Sequence, residues 1–457
     1  MRTSGRGCTG SSTSPAALSS PVISGMRRRS GARSPANVSG RAIYFDSAMR
    51  NAGWQLCWNF RVVGRRRWPA GNVQPRHLPQ RRHRRRPLLN ASLQRPHLRS
   101  AGSFRAALSL LETAGQQARA AQRVDLQARI LGHEGNARAR MGQGQQGVEL
   151  VRAGLAMAPE HGLAGPAAEI YQRLADALEH AGDYAGASAT YDEAYNFCSA
   201  NGLEPTARLC LACLTAVLRQ SGDWERAATL CQRVIESSDA TLHARAVATG
   251  MLGSILGVRG RTRQVRPLLL ESATLARQLE LAAMELLSSW GLAIVDSVEG
   301  ATQSAVGHCW ALLERWKQTE DRHYAMPPLR WATTFFAESG EAGGTRACAA
   351  ALAQIAADAG QDEAMSALSH GLGETALIDG SLDQAAEQFS RALVLLQGHD
   401  APFERAESQR RLASVLVETG RRDEAVEHLL AAYRTARRLG AKPQPARRRP
   451  QCAGRAG

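Results

Sequence analysis

The sequence predicts an all-α fold, an α-solenoid of about eight and a half helix-pair repeats, and three observations carry that expectation. A glycine recurs on a ruler: Gly102, Gly142, Gly182, Gly222, Gly260, Gly300, Gly340, Gly380 and Gly420 stand 40 residues apart, with one interval of 38. Small and bulky side chains recur at fixed offsets from each of these markers. Aromatic residues make up only 5% of the 457-residue chain, and alanine, leucine, glutamate, glutamine and arginine dominate after residue 100. That composition favours helix over sheet.

The first segment, residues 1–97, is rich in Arg, Ser, Pro and Gly, shows no hydrophobic period, and reads as disordered. Residues 1–100 hold 20 arginines, no lysine and a single acid, Asp46, for a net charge of +19. The run Arg81-Arg82-His83-Arg84-Arg85-Arg86 has the composition of a phosphate-binding arm or an address. An arginine-rich, acid-poor start also suits an organellar leader. A second reading is a non-native reading frame joined to a truncated gene, because GC-rich codons give arginine without lysine in any frame. The next element favours that second reading. Gly102 is followed by a proper second helix (Phe104, Ala107, Leu111, Ala114), yet Arg84-Arg85-Arg86-Pro87 and Pro96 occupy the place of its first helix. The solenoid is therefore expected to begin with half a repeat.

From there to residue 442 one unit repeats. Five residues after the marker the side chain is small, as in Ala107, Ala187, Ala227, Ala385 and Ala425; nine after it stands Leu111, Val151, Tyr191, Cys231, Leu269, Phe389 or Leu429. Eight before it stands Leu174, Leu214, Leu252, Leu292, Leu372 or Leu412, followed in most repeats by Ala or Gly. Offsets of three and four place these residues on one helical face. Helix A ends at the marker, which tolerates the left-handed backbone of a helix C-terminus. A turn such as Gly182-Asp183-Tyr184 or Gly222-Asp223-Trp224 then leads into helix B. Small residues let two helices approach, and bulky ones fill the space to the next pair, so only a stack buries its own apolar faces. The last segment, residues 443–457 with Arg447-Arg448-Arg449-Pro450, reads as a disordered basic tail.

Leucine and a small residue, then Gly-Asp-aromatic, then Ala, aromatic and Ala at these offsets resembles the tetratricopeptide motif, best in Tyr171 to Tyr195. The 40-residue period is similar to the helical sensor region of the large ATP-binding, MalT-like regulators of the LuxR family. The stretch from His323 through Leu329-Arg330-Trp331-Ala332 to Ala432-Tyr433-Arg434 adds to that likeness. The resemblance covers residues 100–441 and implies a sensor arm. No counterpart of the ATPase and helix-turn-helix domains of such regulators is expected within these residues. The only lysines, Lys317 and Lys442, sit in no phosphate-binding Gly-x4-Gly-Lys-Ser/Thr loop, and 15 residues after Lys442 are too few for a helix-turn-helix domain.

Composition excludes other classes. No run of about 18 apolar residues exists, so no transmembrane helix is expected, and the N-terminus lacks the apolar core of a secretory signal. Nine irregularly spaced cysteines give no disulfide framework and suit a cytoplasmic protein. Beyond residue 100 the chain carries 37 basic and 40 acidic side chains, so the folded body is not expected to bind nucleic acid. An arginine-arm nucleic-acid binder is therefore the weakest of three functional readings.

No catalytic, cofactor or metal constellation emerges. Cys210 and Cys213 form one Cys-x2-Cys pair with no second pair at zinc spacing; His133-Glu134 lacks the second histidine of a zinc-protease helix and reads as a solvated turn. Trp310, Trp316 and Trp331 read as core. One row is a candidate site: ten residues before their markers, Trp290, Arg330, His370 and Arg410 would align along the groove-lining helices of the later repeats. An aromatic beside cationic groups suits an anionic peptide or effector, against the plainer reading of a solvated helix face. The chain thus reads as a non-catalytic scaffold for a protein partner or small effector, with a freestanding tetratricopeptide-like adaptor as the alternative.

Overall fold

A computed structural model describes residues 103–160 and 164–442, with the side chains of residues 158–160 left aside. The segments expected to be disordered, 1–97 and 443–457, lie outside the described residues, as does Gly102. The described chain forms seventeen α-helices and no strand. In order these are α1 Phe104–Ala120, α2 Val124–Arg140, α3 Gly144–Glu160, α4 Ala164–His180, α5 Tyr184–Ala200, α6 Glu204–Ser221, α7 Trp224–Ile235 and α8 Leu242–Val258. There follow α9 Thr262–Gln278, α10 Ala282–Val298, α11 Thr302–Arg315, α12 Arg322–Ser339, α13 Ala342–Ala359, α14 Asp362–Ile378, α15 Leu382–Leu395, α16 Pro402–Glu418 and α17 Arg422–Leu439. No helix among the described residues is long and apolar enough to cross a membrane.

Even-numbered helices are the A helices and odd-numbered ones the B helices, so α1 is the expected unpaired B helix. Every described marker glycine from Gly142 to Gly420 ends an A helix at φ between 72° and 90°, where a side chain would be strained. The aspartate of the Gly-Asp-aromatic turn then caps helix B. Gly186 N–H donates to Asp183 at 2.8 Å and Arg226 N–H to Asp223 at 3.2 Å, while Tyr184 and Trp224 are buried. The small residues expected at the close approach, Ala187 and Ala227, are fully enclosed. Most helices run 17 or 18 residues, so the excess over a 34-residue repeat lies mainly in the helices themselves.

A second ruler accompanies the first. Twenty residues after a marker, at the turn from helix B into the next helix A, Gln122, Gly202, Glu280, Gly360 and Gly440 also take positive φ, from 51° to 69°. Two of these five are not glycine, which is why the sequence hides this ruler.

The stack coils tightly enough for successive turns of the superhelix to touch. Residues about 180 positions apart, or four and a half repeats, meet: Lys442 N–H donates to Val258 O at 3.0 Å, Arg259 Nε–H to Leu439 O at 3.0 Å, and Tyr184 Oη–H to Glu363 at 2.9 Å. The Trp224 and Phe403 rings lie 5.6 Å apart. One apolar core runs from Ala128 to Ala367 and takes in Leu439 of the last described helix.

Candidate functional site

The A helices face inward, and between the turns they line a half-open cavity of about 130 Å³. Its wall is built from repeat positions nine and six residues before the marker: Asn136 on α2, Arg173 and Asp176 on α4, Cys213 and Ala216 on α6, and Met251 on α8. Phe104 of α1, Met284 of α10, and Asp321 and Tyr324 at the start of α12 complete it. The sequence row lies one residue away from these positions.

One wall is an ion network that ties the early repeats to α12. Arg140 forks onto Asp176 with N···O distances of 2.8 and 2.6 Å and also donates to Asp321. The Asn136 amide N–H donates to Asp176, a residue 40 positions on, and Asn136 is completely buried. His180 Nδ1–H donates to Asp176 O at 2.8 Å, and its Nε2 lies 3.2 Å from Asp321 Oδ1. Tyr324 Oη–H donates to Glu179 Oε1 at 2.7 Å, with His323 Nε2 3.6 Å from the same oxygen.

These contacts set the protonation states. Burial alone would lower the His180 pKa, but the Asp321 and Asp176 carboxylates override it and raise the imidazole to about 9. Burial would raise the Asp321 carboxyl, yet Arg140 and His180 hold it at about 2. The same balance, led by Arg140, keeps Asp176 below the ordinary carboxylate range. Asp176, Glu179 and His180 have ligand atoms close enough together to share a cation. Arg140 already supplies the positive charge on Asp176, so the cluster reads as a closed ion network.

One buried group in this wall has no partner. Asn136 Oδ1 makes no hydrogen bond while its amide nitrogen is fixed on Asp176. An unpaired buried acceptor costs about 1–3 kcal/mol, and because Asn136 is enclosed on all sides the fold itself bears that cost.

The structure gathers Trp290, Arg330 and His370 of the sequence-predicted row around one small pocket and buries them. Trp290 is 1% exposed beneath the Arg219 guanidinium, 4.6 Å from the ring centroid. Arg330 is buried and donates to Glu404 O, to Ser408 Oγ at 2.7 Å and to His370 Nδ1 at 3.2 Å. His370 Nε2–H donates to Thr334 Oγ1 at 2.8 Å, and Thr334 donates in turn to Glu374 at 2.9 Å. Burial first, then Arg330 and Arg411, depress the His370 pKa well below its usual value, which suits the neutral ring this chain of bonds requires. Arg410 is partly exposed and pairs with Glu338 at 3.1 Å and Glu407 at 3.2 Å. The solvated-face reading therefore fails for Trp290, Arg330 and His370.

Two smaller readings change. His133, read as a solvated turn, is buried within α2 with Nε2 2.7 Å from Glu169 Oε1. Trp316 and Trp331 are core, whereas Trp310 is 39% exposed beside Phe336. Cys210 is buried, while Cys213 lines the cavity and accepts from Gln172 Nε2 at 3.8 Å.

Sequence reasoning missed the Asn136–Asp176 pair and its partners. The signal was available: Asn136, Asp176, Thr334 and Glu374 all stand six residues before a marker, a register otherwise held by apolar or small residues.

No protein-family model matches the chain, and no curated protein matches its sequence. Solved structures do match. A Rap protein complexed with Competence and Sporulation Factor aligns over 74% of this chain and 94% of its own, with a TM-score of 0.55 at 11% identity. The likeness is one of fold. IFIT1 with Gppp-AAAA aligns over 69% of this chain and 70% of its own at a TM-score of 0.40 and 14% identity. The Cut9–Hcn1 hetero-tetramer of APC/C gives 0.31 at 10% identity over 72% and 87% of the two chains. The Rap likeness agrees with the α-solenoid of consecutive helix pairs described above. These matches do not extend to the LuxR-type resemblance read from the sequence.

Proposed function

We propose that this chain is a non-catalytic scaffold that receives one side chain or one end of a partner peptide, or a small effector, in the cavity at Asn136. The observation that carries the proposal is a cavity of about 130 Å³ on the inner face, walled by Asn136 and the Arg140, Asp176 and Asp321 network. One water needs roughly 10–15 Å³ of such space, so the cavity has room for several waters or a side chain and is too small for a folded partner segment. Its wall carries both signs of charge, Arg140 and Arg173 against Asp176, Asp321 and Glu280, beside the apolar surface of Phe104, Val247 and Met251. That lining favours a ligand with a polar donor and a small apolar body.

The Rap structure, determined with a bound factor, supports the idea that such a fold serves as a receptor for a partner. In this reading Trp290, Arg330 and His370 close the far side of the inner face, and Arg410 is the member of the row still within reach of an anionic group. The finer assignment, a sensor arm of a LuxR-type regulator, rests on the sequence resemblance, and a cytoplasmic location rests on the irregular cysteine spacing. A freestanding adaptor would use the same cavity.

The test is selection of short peptides from a displayed library against the full chain, followed by titration of the selected peptide. Ala216→Phe fills the cavity without removing a network member. Loss of binding with an unchanged helical circular dichroism signal supports the proposal. Unchanged affinity in Ala216→Phe sinks it.

A further inference from the structure

The ninth residue after each marker is a core position in every other described B helix. Leu111, Val151, Tyr191, Cys231, Leu269, Cys309, Ala349 and Phe389 are all buried there. In α17 that residue is Leu429, and it is 43% exposed. Val426, Leu430 and Tyr433 beside it are 52%, 46% and 59% exposed. Spacings of three, four and seven residues put the four on one face of α17. The adjoining face, Ala425, Ala432 and Leu439, is buried within the stack. In inner repeats the next A helix covers the Leu429 position and, in most of them, part of the Val426 and Tyr433 positions, whereas the Leu430 position stays open there too, as at Leu270 and Trp310.

The charges beside the stripe identify what covers it. Asp423, Glu427, Arg434 and Arg437 are exposed and follow one flank of the stripe, acids in the N-terminal half and arginines in the C-terminal half. When two copies of a helix pair antiparallel, each flank faces the same flank of its partner, so Asp423 and Glu427 meet the partner subunit's Arg437 and Arg434. A parallel pair would set this charged flank against the opposite, uncharged-paired side and lose the match. A two-fold axis near Leu430 satisfies both the apolar stripe and the charge order, as a self-complementary interface must.

We propose that this protein forms a homodimer through antiparallel pairing of α17 about Leu430. The surface is separate from the inner cavity and does not depend on what the cavity binds.

Sedimentation velocity on the full chain over a concentration series tests this. The wild type is expected to reach twice the monomer mass, and Leu430→Glu with Tyr433→Glu is expected to stay monomeric with an unchanged circular dichroism spectrum. A second arm reads the charge order without touching the apolar stripe. Arg434→Glu with Arg437→Glu should weaken the dimer roughly tenfold or more, since attractive pairs become repulsive on both sides of the axis. Adding Asp423→Arg and Glu427→Arg to that variant should restore it. A wild type that stays monomeric at tens of micromolar overturns the proposal, and so does a dimer indifferent to the Leu430 and Tyr433 changes. If removal of residues 443–457 turns a monomer into a dimer, that segment covers the stripe in the full chain and the proposal fails.

Discussion

His180 Nε2 lies 3.2 Å from Asp321 Oδ1, although 141 residues separate them along the chain. This contact, with the forked Arg140–Asp176 pair beside it, fastens α4 to the start of α12 across one turn of the superhelix. Its members need one another, because His180, Asp176 and Asp321 are buried and charged and Arg140 is mostly so. Losing any one leaves an uncompensated charge in the interior.

The latch gives the protein a pH dependence with a defined sign. The folded pKa of His180 is raised to about 9 from an unfolded value near 6.5, so its contribution is complete below pH 6.5 and is lost as pH rises through 9. Asp321, lowered to about 2, contributes above its unfolded value and loses that contribution only as pH falls toward 2. Buried His370, held neutral, acts in the opposite sense below pH 6.5. Comparing wild type with His180→Gln isolates the latch. The stability gap between them, read from urea midpoints, should shrink by on the order of 2–3 kcal/mol between pH 6 and pH 9. A gap that stays constant or widens contradicts the assignment.

Arg330 is predicted to be essential to the fold. It serves Glu404 O, Ser408 and His370 from a buried position, so Arg330→Met leaves these groups without their donor. The expected loss is about 2–4 kcal/mol in urea unfolding, larger than for Arg410→Met, whose side chain keeps access to water. Equal small effects would mean that Arg330 can leave the interior at little cost.

Ala187 and Ala227 each sit fully enclosed where a B helix meets its neighbours. Leucine at either site should overpack that contact and cost roughly 1–3 kcal/mol. Unchanged urea midpoints for both would mean the repeat register is misassigned.

Gln122 and Glu280 hold left-handed backbone at φ 51° and 57° in turns where other repeats place glycine. Glycine at either position relieves about 1 kcal/mol of strain, less the entropy it adds to the unfolded chain. A small rise in thermal midpoint is expected for each, with a larger one for the pair. A clear fall would show that these turns carry no strain.

The fold was legible because its determinants are local. Marker glycines, capping aspartates and enclosed alanines act within one repeat, so each repeat restates them. What sequence reading could not supply is the pitch of the superhelix, which comes from small rotations summed over many repeats. That pitch brings Asp321 to His180 and Phe403 to Trp224, and it turns a row expected to line an open groove into an interior in which Arg330 and His370 are buried. The cavity at Asn136 was hidden for the same reason. Its wall joins α2 and α4 to α10 and α12, helices that are neighbours only once the stack has come round.

Cys213 offers the most direct check on the central claim that the inner cavity is the ligand site. It lines the cavity and is partly exposed, while Cys198, Cys210, Cys231, Cys309 and Cys348 are buried. Cys8, Cys57 and Cys452, outside the described residues, serve as internal references for reagent activity. The measurement is the iodoacetamide alkylation rate at each cysteine, read by peptide mass spectrometry with and without the selected peptide. The account predicts that saturating peptide slows alkylation of Cys213 several-fold and leaves the three references unchanged. A Cys213 rate that does not move while the peptide is demonstrably bound would contradict it.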